Sequence, residues 1–311
     1  MSKVVLTEEI EFADFEKYEK LVAQPDVTEI DISQFSIKDC SYEEFEEKFE
    51  IYEDGDRYYE LDDSIRPLSL LAKLVLNKEF ATSFVIENGF VYSLDKRVLV
   101  CCQTNRGLVA PYDVEIIGHY AFCNKHIYSV SFPQTLKLIG NHAFEDCEEL
   151  KKVVFPDSVT QLGECCFYGC GIEDLKLSNN LEYIPGCCFC FNELKDVDIP
   201  ASVKKIDASA FSGNLIRRVV LPEGVESIES DALSTPEYVW LPSTIRWIDK
   251  EFFCETPIVA PEDCIPYIDV DERNPLFFCK DGTLYKRDNP KEPYLGYPYS
   301  GYKWDGKMDD V

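Results

Sequence analysis

The sequence predicts a repeat solenoid built mostly of short parallel β-strands and turns, and three spacings carry that prediction. A proline step falls at Pro111, Pro133, Pro156, Ser178, Pro200, Pro222 and Pro242, at intervals of 22, 23, 22, 22, 22 and 20 residues. A phenylalanine step at Phe122, Phe144, Phe167, Phe189, Phe211, Leu233 and Phe253 keeps the same intervals. Ahead of each lies an aliphatic residue: Ile117, Ile139, Leu162, Ile184, Ile206, Ile228 and Ile248. Seven units at one period are the signature of stacked rungs, none of which can bury its apolar side chains alone.

Taken in chain order, residues 1–80 read as an acidic N-terminal cap with helices and degenerate repeats. "EEIEFADFEKYEKLV" places Phe12, Phe15, Tyr18 and Leu21 near helical spacing, and "RPLSLLAKLVL" reads as a second helix. Between them "DVTEIDIS" resembles the repeat strand "LKDVDIP", and "DDSIRPL" resembles "PSTIRWI". Residues 81–107 read as a β-hairpin insertion turning at Asn88-Gly89, a two-residue hairpin signal. Residues 108–256 are the seven-unit solenoid. In the unit from Leu150, "LKKVVFP" offers Leu150, Val153 and Phe155 inward, and Pro156 ends the pairing. "SVTQLG" follows as a second strand with Val159 and Leu162 inward, and "ECCFYGC" turns back with Cys166 and Phe167 inside. Residues 257–311 read as a C-terminal cap whose "FFCKDGTLYK" echoes the first hairpin and turns at Asp281-Gly282.

This unit resembles the BspA-type leucine-rich repeat family, over residues 108–253. Departures are local: Ser178 replaces proline, Pro185 the glycine, Cys166 and Cys188 the small alanine before the phenylalanine, and Leu233 the phenylalanine of a shortened sixth unit. The resemblance implies a non-enzymatic binding protein. It also implies that exported relatives serve adhesion, and that hairpins cover exposed rung edges.

Formal charge is −27 over 311 residues, and residues 1–63 hold 21 Asp/Glu against 6 Lys/Arg. Such a surface repels nucleic acid and anionic membrane as direct partners. No apolar run reaches the length of a membrane span, and the N-terminus lacks a signal-peptide core. Fourteen cysteines favour a reducing compartment, so the expected location is cytoplasmic, with a secreted or cell-surface location the alternative.

Catalytic motifs of the GxGxxG, HExxH and GxSxG kinds are missing from the sequence, and no catalytic residue, cofactor or metal is predicted. His119, His126 and His142 read as polar bend residues. "ECCFYGC" and "GCCFCF" group thiols as zinc ligands are grouped. Yet Cys166 and Cys188 stand in the small core slot, and the slot of Cys147 and Cys170 is Lys125, Asn192 and Asn214 elsewhere. A ladder of buried thiols and turn residues fits that pattern better than a ligand set.

Binding is therefore expected on the outward positions, which stack into columns. One is Ser131, Val154, Lys176, Asp198, Val220 and Trp240; its neighbour is Ser129, Lys152, Asp174, Asp196, Arg218 and Tyr238. A third, on the second strands, is Leu138, Gln161, Tyr183, Lys205, Ser227 and Trp247. Tyr238, Trp240 and Trp247 have the composition of an interface hot spot, unless residues 257–311 fold back over them. The expected partner is a protein met through these columns and an acidic N-terminal face. Two alternatives are an acidic antagonist, of immunity or counter-defence type, masking a basic nucleic-acid-binding enzyme, and a surface adhesin.

Overall fold

Each repeat needs three straight stretches and three bends to close on itself, and the apolar beats supply the inward face of each stretch. A computed structural model describes residues 2–38, 40, 68–103, 108–109, 113–233, 236–249 and 267–295. It is a β-solenoid of about nine turns with short parallel strands and little helix. Pro111 and Phe253, at the two ends of the repeat spacing, lie outside the described residues, as does most of "DDSIRPL".

Seven second strands line one side, from Ile116–Ile117 and Leu138–Ile139 through Gln161–Leu162, Tyr183–Ile184, Lys205–Ile206 and Ser227–Ile228 to Trp247–Ile248. They pair in parallel and in register, Leu138 beside Gln161 and Ser227 beside Trp247. The ladder breaks once, between Gln161–Leu162 and Tyr183–Ile184. The cause is Pro185. The residue at this step donates its N–H to the previous rung, Gly163 to Ile139 at 2.8 Å and Asp207 to Ile184 at 2.9 Å, and proline has none to give.

First strands form the adjacent side: Lys152–Val154 with Asp174–Lys176, then Arg218–Val220 with Tyr238–Leu241 and Tyr267–Val270. The bends make a third ladder. Phe144 N–H donates to Cys166 O, Phe167 N–H to Cys188 O and Phe189 N–H to Ala210 O, all at 2.8–2.9 Å. Inside it the phenylalanines stack, with ring centroids 4.9 Å apart for Phe122–Phe144 and Phe144–Phe167, and 5.7 and 5.4 Å for the next two steps to Phe211. Two residues before each phenylalanine the chain is left-handed, at Tyr120, His142, Cys165, Cys187 and Ser209, and two residues after it the chain is left-handed again.

The N-terminal region is continuous with this stack. An eight-stranded sheet runs from Ser2–Val5 through Val27–Asp31, the hairpin Ser83–Glu87/Phe90–Ser93 and Val98–Cys102 into Ile116–Ile117 and the next two rungs. The first hairpin is thus a member of the sheet rather than an inserted flap. Its turn is left-handed at both Asn88 and Gly89, as Asp281 and Gly282 are in the second hairpin. Helix α1 (Phe15–Val22) buries Phe15, Tyr18 and Val22. Leu21, grouped by spacing with Phe12, Phe15 and Tyr18, is exposed, because the buried face follows Phe15, Tyr18 and Val22 at steps of three and four. Helix α2 (Leu70–Leu76) is capped by the Ser69 hydroxyl, and Asn77 at its end clasps the first repeat through His119 N–H at 2.7 Å and His119 O at 3.0 Å.

Candidate functional site

The outward columns exist where strands pair. Lys152 lies beside Asp174 and Val154 beside Lys176, and Lys152 and Asp174 form an exposed ion pair. Asp196 and Asp198 keep the exposed phase, but residues 195–199 hold no strand and leave the ladder there. Arg218 resumes it beside Tyr238, and Val154 and Val220 are 44% and 48% exposed. Single surface pairs of this kind contribute about 1 kcal/mol or less, so the columns present shape and charge rather than stability.

The aromatic group at the C-terminal end divides. Tyr238 is only 8% exposed, which corrects its reading as a surface residue. The next rung covers it: Tyr267 stacks on its ring at 6.4 Å, the Arg218 guanidinium lies 5.3 Å from its centroid, and its hydroxyl donates to Asp269. Burial, and then the Asp269 carboxylate, push the Tyr238 phenol up to about 12. Trp240 is half-buried beside Asp269 in the same ladder. Trp247 is 50% exposed. Its column runs back through Ser227 and Lys205 to Tyr183, whose ring carries the Lys205 ammonium 5.7 Å from its centroid and whose hydroxyl donates to Asp207.

Beyond Tyr183 the same face opens into a cleft of about 590 Å³ between the second strands and the turn after α2. Gln161, Tyr183 and Glu182 line the strand side, and Glu79 and Phe80 the other. His119 fixes that turn: its Nε2 lies 2.7 Å from Glu79, Phe80 stacks on its ring at 4.9 Å, and its Nδ1 accepts from Asn141 N–H at 2.9 Å. His119 and His142 stand in the bends and are buried there. The cleft itself was not anticipated, since Glu79 and Phe80 carry no repeat spacing.

Cysteines occupy the places the repeat assigns. Cys147 and Cys170 donate to the carbonyls of Phe122 and Phe144 at 3.2 and 3.0 Å. Asn192 and Asn214 do the same for Phe167 and Phe189, both at 2.8 Å, and their Oδ1 atoms accept from Ile172 and Leu194 N–H. The slot is a bend clasp, filled by cysteine or asparagine in these four units. Among the described residues no group of three or more His, Cys, Asp or Glu is placed to hold a metal ion, and no helix is long and apolar enough to cross a membrane.

Residues 115–239 match the BspA type leucine rich repeat region in six copies, and the repeats of this chain belong to that family. Among solved structures, a leucine-rich repeat protein of Eubacterium ventriosum is 15% identical at a TM-score of 0.36, over 65% of this chain and 47% of its own. A leucine rich cell surface protein of Faecalibacterium prausnitzii is 20% identical at 0.41, over 68% and 61%. The pneumococcal vaccine antigen PcpA is 19% identical at 0.39, over 66% and 54%. The chain thus spans from about half to three-fifths of the length of these proteins. It matches no curated protein. Leucine-rich repeat proteins of this family are commonly protein-binding and typically non-enzymatic.

Proposed function

We infer that this protein binds a protein partner along the second-strand column, from the cleft at Tyr183 to Trp247. The observation that carries this is the half-exposed Trp247 in line with Tyr183 and Lys205 on a ladder held rigid by rung pairing. An ordered aromatic loses little conformational freedom on docking and offers a large contact area, which is why Trp and Tyr dominate interface energetics. Lys152, Asp174, Lys176, Asp196, Asp198 and Arg218 on the first-strand side form a second, charged face that sets specificity more than affinity. The density of thiols supports a cytoplasmic, reducing setting.

A photo-cross-linking residue at Ser227, inside the column, tests the reading in the source cells. Discrete protein adducts are expected, lost on Trp247→Ala, which should weaken binding by about 2 kcal/mol while leaving the melting temperature nearly unchanged. Equal adducts from a probe at Leu215, an exposed side chain outside the column, would overturn it.

The charge of −27 favours a second reading, an acidic antagonist that covers the basic groove of a nucleic-acid enzyme. In that case adducts would form from a probe at Glu19, and binding would fall steeply between low and moderate ionic strength.

A further inference from the structure

Six cysteines lie in two successive bends, Cys165, Cys166 and Cys170 in one and Cys187, Cys188 and Cys190 in the next, and the binding surface uses none of them. Cys166 and Cys188 fill the small slots before Phe167 and Phe189, fully enclosed, with their sulfurs 3.3 Å apart. Cys165 and Cys187 stand just outside them, two residues before the same phenylalanines. Both are half-buried and both are left-handed, with φ of 51° and 52°. Equivalent Cα atoms of stacked parallel rungs lie about 4.8 Å apart, inside the roughly 4.4–6.8 Å that a disulfide spans. Cys190 closes the group from within the second bend, its N–H donating to Cys187 O at 3.1 Å.

Cys187 is the hub. The neighbouring Cys165 and Cys190 thiols draw its sulfur toward the thiolate, while they themselves are pushed up. Cys123, Cys147, Cys170 and Cys279 are all pushed up by burial instead. The thiolate is the nucleophilic form, and a reactive cysteine is a partly exposed one with its anion supported. The inner pair lacks the first condition.

We propose that Cys187 is a hydroperoxide-reactive thiol resolved by Cys165, giving a bridge between successive rungs. In the first step the Cys187 sulfur attacks a peroxide oxygen. The S–O bond forms and the O–O bond breaks, leaving a sulfenic acid on Cys187 and an alcohol, or water from hydrogen peroxide. In the second step the Cys165 sulfur attacks that sulfenic sulfur. The S–S bond forms, the S–O bond breaks, and the oxygen leaves as water with the thiol proton. Two thiols and one hydroperoxide thus become one disulfide, one water and one alcohol, the sulfurs being oxidised and the peroxide reduced. Ser209 holds the same place on the following rung and has no thiol, so no bridge can run from Cys187 to that rung.

The test uses the full reduced chain treated with stoichiometric hydrogen peroxide, then alkylated and mapped by peptide mass spectrometry. Cys187 should lose alkylation about tenfold faster than Cys279, another half-buried thiol, and should appear joined to Cys165 in a dithiothreitol-reversible peptide pair. Cys165→Ser should stop the reaction at a sulfenic acid on Cys187 that dimedone traps. Cys187→Ser should abolish the bridge, serine being what Ser209 shows the bend accepts. Should that variant fail to melt like the parent, trapping in Cys165→Ser decides alone. A Cys166–Cys188 bridge, uniform loss across the thiols, or oxidation only after denaturation would overturn the proposal.

Discussion

Asp146 sits two residues after Phe144, where the chain is left-handed with φ of 54°, and the next unit carries Gly169 at that place. Burial, with Glu145 and Glu148 adding repulsion, pushes its carboxyl from an ordinary 3.8 up to about 7. The folded protein therefore holds a proton that the unfolded chain has released between those values. Its contribution to stability is full below pH ~4 and is lost as pH rises to ~7. Asp146→Asn should raise the melting temperature at pH 7.5, by about 1–2 kcal/mol of stability after allowance for solvent contact, and leave it unchanged at pH 4. Asparagine also tolerates the left-handed conformation, so the comparison isolates the charge. Equal effects at both pH values would show that the carboxyl titrates normally.

At the level of the element, the rung is defined by what repeats identically in it. The phenylalanine stack was legible because five successive units, Phe122 to Phe211, present a ring of one size at one place, and a fixed spacing in the sequence is the direct trace of that demand. Phe167→Ala should remove contact with both Phe144 and Phe189 and destabilise by about 3–5 kcal/mol, read by denaturant unfolding. A change within a few tenths of a kcal/mol would mean the repeat register is misplaced. The burial of Tyr238 was not legible, because it depends on Tyr267 at an interval of 29 residues rather than 22. The pairing of Asp31 with Ser83 was equally silent, since no periodic signal links residues so far apart. The break at Pro185 could have been read: a residue without an N–H stands where the ladder needs one.

For the molecule as a whole, the two ends are closed differently. The N-terminal sheet continues the second-strand ladder, whereas at the other end the pairing of Tyr267–Val270 and the reach of Tyr294, whose hydroxyl donates to Ile248 O at 2.7 Å, cover the last rung. Deleting residues 267–311 should uncover Tyr238–Leu241 as an open edge strand, lower the melting temperature and produce aggregates visible by light scattering. A truncated chain that stays monomeric with an unchanged melt would show that the last rung needs no cover. The three backbone ladders have a mechanical consequence, because their hydrogen bonds lie along the long axis. Tension applied between the ends loads one rung's bonds at a time, as in a zipper, and never all of them together in shear. Each opening frees a unit of 22 residues, roughly 70 Å of slack. The solenoid is therefore extensible under sustained pull, and the step at Pro185, where one of the ladders is already interrupted, is its weakest link.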